Sequence, residues 1–163
     1  MSKSVKFTFR QALEADLPDI LGMLVDDELG SIREDDSIPI KKSYLQAFKQ
    51  IDSDTNNELI VVESLTDKSG VTEKDIAGIL QLTFIPYLTY QGSWRCLVEG
   101  VRVHKNFRGK GVGTKLFEWA IARARQKDCN LVQMTSDKQR PDAIRFYQKL
   151  GFVASHEGFK LKL

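Results

Sequence analysis

A chain of 163 residues with 42% hydrophobic and 28% charged side chains is long enough for one buried core and ordinary in composition for a globular domain. Its net charge of +2 expresses no preference for a polyanionic or polycationic partner, and no run approaches the roughly 20 apolar residues that a membrane helix needs. Cys96 and Cys129 stand far apart with no Cys-x-x-Cys, which indicates neither a zinc site nor a disulfide framework and leaves both as small core residues.

Met1 to Arg10 carries Lys3, Lys6 and Arg10 but no long apolar stretch. It does not read as a signal peptide, and a cytoplasmic protein is the expectation. Val5, Phe7 and Phe9 alternate with polar residues and predict a strand. Asp16 is placed to cap a helix with Pro18 in its first turn. Ile20, Leu21, Leu24 and Val25 give that helix an apolar face, and Gly30 reads as its stop. Ser31 to Ile40 is polar and acidic and predicts a loop. Tyr44, Leu45, Phe48 and Ile51 mark a second helix, and Asp52 to Asn57 is a turn cluster. Leu59 to Val62 predicts a strand, Thr66 to Lys74 a hairpin loop or small insertion, and Ile76 to Ile85 a strand containing Gly78 and ended by Pro86. A turn over Tyr87 to Ser93 leads to a strand from Trp94 to Val103. A helix from Val112 to about Lys127 follows, then a strand over Leu131 to Thr135, a helix led by Pro141, and two short strands near Phe152 and Phe159. The order is β-α-α-β-β-β-α-β-α-β-β, a mixed α/β domain over residues 1–163 with a largely antiparallel sheet and no internal repeat or linker.

The chemistry concentrates at Arg108-Gly109-Lys110-Gly111-Val112-Gly113. The apolar run from Cys96 to Val103 leads into it, and Val112, Leu116, Ala120 and Ala124 leave it at every fourth position. Strand, glycine-rich turn and helix in that order turn backbone N–H groups outward beside the positive end of a helix, a site for phosphate. The spacing is not that of a P-loop, which needs Gly-Lys-Ser/Thr after four intervening residues. Nor is it a dinucleotide fingerprint, because Gly111 and Gly113 have one residue between them rather than two.

Arg-x-x-Gly-x-Gly between a strand and a helix resembles the pyrophosphate loop of the GNAT family of N-acetyltransferases. Downstream, Ala143-Ile144-Arg145-Phe146-Tyr147-Gln148-Lys149-Leu150-Gly151-Phe152 resembles the last helix and following strand of the same family. The resemblance covers Glu99 to Phe152; the residues before it match in the order of their elements. It implies a GNAT-like fold, with a mostly antiparallel sheet splayed between its fourth and fifth strands, and acetyl-coenzyme A in the cleft. The pyrophosphate is then expected on N–H groups from Gly109, Lys110, Gly111, Val112, Gly113 and Thr114. The pantetheine arm is expected to run like an added strand along Val101, Arg102 and Val103. Arg108 and Lys110 would face the phosphates. Many members of the family have Asn seven residues before the tyrosine of the last helix; here that position is Arg140, a further expected cofactor contact.

The reaction implied is attack of a neutral amine on a thioester, helped by a base for the amine proton and an acid for the leaving thiolate. Glu99 is the expected base. It lies in the same strand as Val101 and Val103, so all three are expected to point to one face, where a carboxylate is poorly solvated and so a better proton acceptor. Gly100 beside it can mark a bulge that re-aims neighbours. The bland alternative for Glu99 is a solvated or ion-paired carboxylate. Tyr147 is the expected acid, although Ala143, Phe146, Tyr147 and Leu150 also form a helical stripe that would make it a core aromatic. His104 and His156 read as solvated histidines. No carboxylate cluster has the spacing of a metal-binding loop, and no metal is expected. Tyr87, Tyr90 and Trp94 surround the turn that helps wall the acceptor site in the family.

Charge is unevenly distributed. Arg102, Lys105, Arg108, Lys110, Lys115, Arg123, Arg125 and Lys127 surround the proposed loop with Glu118 as the acid among them. Glu14, Asp16, Asp19, Asp26, Asp27, Glu28, Glu34, Asp35 and Asp36 precede it with only Arg33 opposed. The acidic block includes the loop expected beside the acceptor, which suggests a small, cationic primary amine. The rivals are a protein or peptide N-acetyltransferase, a non-catalytic acyl-CoA sensor, and nucleic-acid binding through the basic helix, for which no motif exists. Neither nucleic acid nor membrane is an expected partner, and a homodimer is compatible with the chain.

Overall fold

A computed structural model describes residues 5–68 and 71–163, with the side chains of 66–68 and 71–72 left aside. Five strands form one sheet in the order β1-β2-β3-β4-β5: β1 Lys6–Gln11, β2 Asn57–Lys68, β3 Val71–Pro86, β4 Trp94–Val103 and β5 Cys129–Gln133. Neighbours from β1 to β4 are antiparallel, and β5 runs parallel to β4. The helices are α1 Leu17–Val25, α2 Glu28–Arg33, α3 Lys42–Ser53, a short α4 Thr89–Gly92, α5 Val112–Gln126 and α6 Pro141–Lys149. The mixed α/β architecture and the element order hold as far as α6. The two strands expected near Phe152 and Phe159 are absent among the described residues, where the chain beyond Leu150 is irregular.

Each face of the sheet carries a core. On one face Leu116, Phe117, Ala120 and Ala124 of α5 pack on Ile60, Val62, Leu80, Leu82, Cys96 and Val98. The fourfold spacing along α5 is what aligns these side chains, and complete burial of Leu116 and Phe117 contributes about 1.5–3 kcal/mol each. Gly78 permits the close approach of this helix: a Cβ there would lie 2.9 Å from the Arg102 carbonyl and 3.1 Å from Leu116. On the other face Leu17, Ile20 and Met23 of α1 and Phe48 of α3 cover Val61 and Ile79. Burial pushes the Cys96 thiol up to about 12, consistent with a core residue and not a nucleophile.

Three local readings are corrected. The first helix stops at Val25, not Gly30, because Asp26 leaves helical geometry and Asp27 caps a separate α2 with its carboxylate on the N–H groups of Leu29 and Gly30. Gly30 lies inside α2, where a Cβ would come within 1.9 Å of the Leu24 carbonyl. Of the stretch from Thr66 to Lys74, residues 66–68 and 71–74 extend the hairpin, since pairing continues through Leu65↔Lys74 to Lys68↔Val71, and the remainder of that expected loop lies outside the described residues. Asp16 precedes α1 but makes no cap bond there; its carboxylate accepts from the Leu13 N–H at 2.7 Å and from Arg10 at 2.6 Å.

Candidate functional site

The sheet opens where β4 leaves β5. Among the described residues β5 pairs with β4 only from Trp94 to Leu97, so β4 runs on from Val98 to Val103 with no strand beside that edge. On its other side β4 stays paired with β3 as far as Val103, and the His104 N–H donates to the Ala77 carbonyl. Alternation along an antiparallel strand then turns the N–H and C=O groups of Val101 and Val103 toward the opening. Those of Arg102 face β3, so only the two valines offer backbone to a ligand laid along this edge.

The bulge expected at Gly100 exists. Gln81 pairs with Glu99 and Ile79 with Arg102, with Gly100 at φ 61° between them. One extra residue reverses the alternation. Cys96 and Val98 point to the α5 core before the bulge, and Val101 and Val103 pack against that core after it. Glu99 is therefore on the opposite face, with Arg102, on the side of α1 and α3. This corrects the placement of Glu99 beside Val101 and Val103. Glu99 is also exposed, so the poor solvation expected from that placement is absent.

The loop after β4 begins with a tight turn over Lys105–Phe107, capped by His104, whose Nδ1 accepts from the Asn106 N–H at 3.3 Å. Gly109 and Gly111 follow at φ 74° and 77° with open space around both Cβ positions. The requirement there is a left-handed backbone, which glycine adopts without strain. The Lys115 N–H donates to the Gly111 carbonyl at 3.2 Å, the first bond of α5. The N–H groups of Val112, Gly113 and Thr114 thus have no partner within the helix. They lie at its positive end, so the donor set fits a pyrophosphate. Lys110 is exposed, its Nζ 5.4 Å from the centre of the Phe107 ring.

Arg108 is engaged elsewhere. Its Nη2 donates to Asp26 Oδ2 at 2.8 Å and to the Asp26 carbonyl at 3.2 Å, and its Nε donates to the Val103 carbonyl at 3.2 Å. The α1–α2 junction is thereby tied to the loop, and a phosphate would compete with Asp26 for this guanidinium. Next to it, Asp27 binds Arg102 of β4 at 3.2 Å and Arg140 at the start of α6 at 2.6 Å. Arg102 also donates through Nη1 to the Val101 carbonyl at 2.8 Å. In this arrangement both carbonyls of the open edge are held by arginines.

Tyr147 combines the two roles weighed for it. Its ring packs edge-on against Phe117 and Phe146 at 5.4 and 5.5 Å, as a helical stripe requires. Its hydroxyl has no hydrogen-bond partner among the described residues. Burial pushes this hydroxyl above its ordinary pKa, with Arg102 and Arg140 pulling against that rise. It therefore holds its proton at neutral pH within the field of two guanidiniums.

The structure brings together the loop, the Val101–Val103 edge, Arg102, Arg140 and Tyr147. It places Glu99 on the α1 side of β4. Sequence reasoning missed Asp26 and Asp27 as the residues that tie these parts to α1. The available signal was an Asp three residues before Gly30, an N-cap pattern that the apolar stripe of α1 obscured. Among the described residues no group of three or more His, Cys, Asp or Glu could hold a metal ion, and no helix is long and apolar enough to cross a membrane.

Comparison with known proteins agrees with this geometry. The family model described as acetyltransferase (GNAT) family matches residues 26–152. An uncharacterised N-acetyltransferase of Porphyra purpurea is 29% identical over 145 residues, covering 77% of this chain and 78% of that one. The aminoalkylphosphonate N-acetyltransferase of Salmonella typhimurium is 28% identical over 85 residues, 52% of this chain and 54% of that enzyme, so the match spans about half of each. The crystal structure of a transcriptional regulator from Bacillus halodurans is 52% identical with a TM-score of 0.87, covering 97% of this chain and 100% of that one.

Proposed function

The chain belongs to the GNAT family of acetyltransferases, and from that premise we propose that it moves an acetyl group from acetyl-CoA to the primary amine of a small molecule. The observation that carries this reading is the open edge of β4 from Val98 to Val103, leading through a glycine-rich loop to the Val112, Gly113 and Thr114 N–H groups, which have no partner within α5. When bound, acetyl-CoA supplies an activated acyl thioester. The N–H groups of Gly109 and of Gly111 to Thr114 would hold its phosphates, that of Lys110 being donated to the Phe107 carbonyl, and the N–H groups of Val101 and Val103 would align its arm. Lys110 adds positive charge, and Arg108 would add more on release from Asp26. Glu99 takes the proton of the amine, directly or through water, and its exposed position leaves it open to an incoming acceptor. The Tyr147 hydroxyl gives a proton to the leaving sulfur; its ring is fixed by Phe117 and Phe146, so the donor is oriented without a protein hydrogen bond.

The argument for a cationic acceptor loses much of its basis. Within the acidic block Asp26 is paired with Arg108, Asp27 with Arg102 and Arg140, and Asp35 with Lys41, while Glu34 accepts from the Tyr44 hydroxyl.

A second reading is favoured by one observation: the 52% identical neighbour is a transcriptional regulator. In that reading the fold holds an acyl-CoA without turnover. Thiol release from acetyl-CoA, screened over small amines and peptides, separates the two. Amine-dependent release supports the enzyme; tight CoA binding with no release from any acceptor supports the sensor.

A further inference from the structure

The α1–α2 junction, β4 and the start of α6 meet at a carboxylate surrounded by more positive charge than it can neutralise. Asp27 Oδ1 accepts from the N–H groups of Leu29 and Gly30 at 2.9 and 2.8 Å and from Arg140 Nη2 at 2.6 Å. Its Oδ2 lies 3.2 Å from Arg102 Nη2 but outside hydrogen-bonding geometry. The Arg102 side chain is only 17% exposed, and its Nε is buried without a partner. Arg33, at the end of α2, adds to the positive field on Arg102. Two guanidiniums thus share one carboxylate, with Arg33 adding to the field on Arg102; the nearby acids Asp26, Glu34 and Asp35 are engaged by Arg108, Tyr44 and Lys41, and Glu28 beside Asp27 is exposed.

Two arginines that share one carboxylate keep a net positive charge and unused donors, which an incoming anion would satisfy. The bulge at Gly100 decides which side of β4 that anion would occupy. It puts Arg102 on the face of Glu99, away from the α5 core. Arg140 joins it from α6, and both act on the Tyr147 hydroxyl. We propose that Arg102 and Arg140 form a seat for an anionic group on the acceptor, so that the amine acetylated also carries a carboxylate or a phosphoryl group. The proposal rests on the acetyltransferase reading given above.

The strand also limits the size of the acceptor. Glu99 and Arg102 are separated by about two strand steps, roughly 7 Å along β4. An amine at Glu99 and an anionic group at Arg102 are then joined by a spacer of a few bonds. The shared chemistry, an anion on paired arginines, could instead come from a phosphate of the cofactor, and the test separates these two sources.

Thiol release is measured with acetyl-CoA and four amines of similar length: propylamine, 1,4-diaminobutane, β-alanine and 2-aminoethylphosphonate. One or both anionic amines should exceed propylamine in kcat/KM by about 10- to 100-fold, the worth of charge-assisted hydrogen bonds. Arg102→Gln and Arg140→Gln should collapse that preference mainly through the acceptor KM. Methylphosphonate should compete with the amine and not with acetyl-CoA. Equal or better use of propylamine or the diamine overturns the proposal. So does a rise in KM for acetyl-CoA as large as that for the anionic amine, which assigns the seat to the cofactor. Should Arg102→Gln fail to fold, Arg140→Gln carries the test, since its side chain is already 32% exposed. If no acceptor in the wider screen of amines and peptides releases thiol, the acetyltransferase reading fails by itself. Calorimetry of methylphosphonate with the CoA-bound protein then decides the seat: binding weakened by Arg140→Gln supports it, and absent or unaltered binding overturns it.

Discussion

The loop between β4 and α5 and the junction between α1 and α2 both gather groups suited to anions, but they are built in opposite ways. The loop presents backbone N–H groups of consecutive residues, Val112, Gly113 and Thr114, at the positive end of one helix. The junction uses side chains from separate elements, with Asp27 and Arg140 standing 113 residues apart in sequence. A backbone site asks only for permissive φ angles and is hard to tune by substitution. A side-chain site carries its own charge balance, and a single change of residue resets what it accepts. On the function and the seat proposed above, the first would serve a cofactor common to a family and the second an acceptor particular to one member.

Four predictions break or sharpen that contrast. The largest effects belong to the chemistry that both regions serve. Glu99→Gln and Tyr147→Phe should each lower the single-turnover rate at saturating acetyl-CoA by about 10²–10⁴-fold. Because the Tyr147 hydroxyl has no protein partner among the described residues, Tyr147→Phe should leave the melting temperature unaltered. A wild-type rate in the Phe variant would return Tyr147 to the core alone.

Next is the junction by itself. Gly30→Ala puts a Cβ 1.9 Å from the Leu24 carbonyl, and the forced shift should cost about 2–4 kcal/mol in urea unfolding. CoA titration of the folded variant should give nearly wild-type affinity if the loop is independent of the junction. A large loss of CoA affinity would show that Asp26 and Arg108 couple the two.

A smaller effect is expected in the loop. Gly111 sits at φ 77°, which Asn and Asp both tolerate better than other side chains. Gly111→Asp should weaken CoA binding roughly tenfold relative to Gly111→Asn, through like-charge repulsion of order 1–2 kcal/mol. Equal affinities by calorimetry would remove the phosphates from this loop.

The smallest effect is a pH dependence confined to the side-chain site and its neighbour. Burial pushes the Asp27 carboxyl up, but the Gly30 N–H, Arg102 and Arg140 outweigh it and hold it below the ordinary value. The hydrogen bond from Arg10 likewise depresses Asp16 against its burial. Groups depressed in the folded state contribute fully above the unfolded value of about 3.9 and lose that contribution as pH falls through the folded one. The melting temperature should be level from about pH 7 to 5 and decline below about 4, with a shallower decline in Asp27→Asn. An unaltered slope in that variant would deny Asp27 a balanced role.

Much of the fold was legible because its signals are local. The fourfold spacing from Val112 to Ala124, the helix led by Pro141 and the alternation of β1 each report a periodicity that packing then uses. The errors fell where local signals compete. The apolar stripe of α1 hid the break at Asp26, and the polar content of 66–74 hid a continuing hairpin. Phe152 and Phe159 suggested strands that no ladder among the described residues receives.

The sequence by itself determined the strand, loop and helix around Gly109 to Gly113, the aromatic stripe of α6, and through them the family. These depend on neighbours within a few residues, where φ preference and helical period decide the outcome. Only the tertiary structure decided the face of Glu99, the engagement of Arg108 by Asp26, and the meeting of Arg102 and Arg140 at Asp27. The bulge at Gly100 shows why. A single extra residue of β4 between Glu99 and Arg102, opposite the single Leu80 of the facing strand, inverts every later side chain of β4, and that count is set by the pairing of two strands, which neither strand states alone.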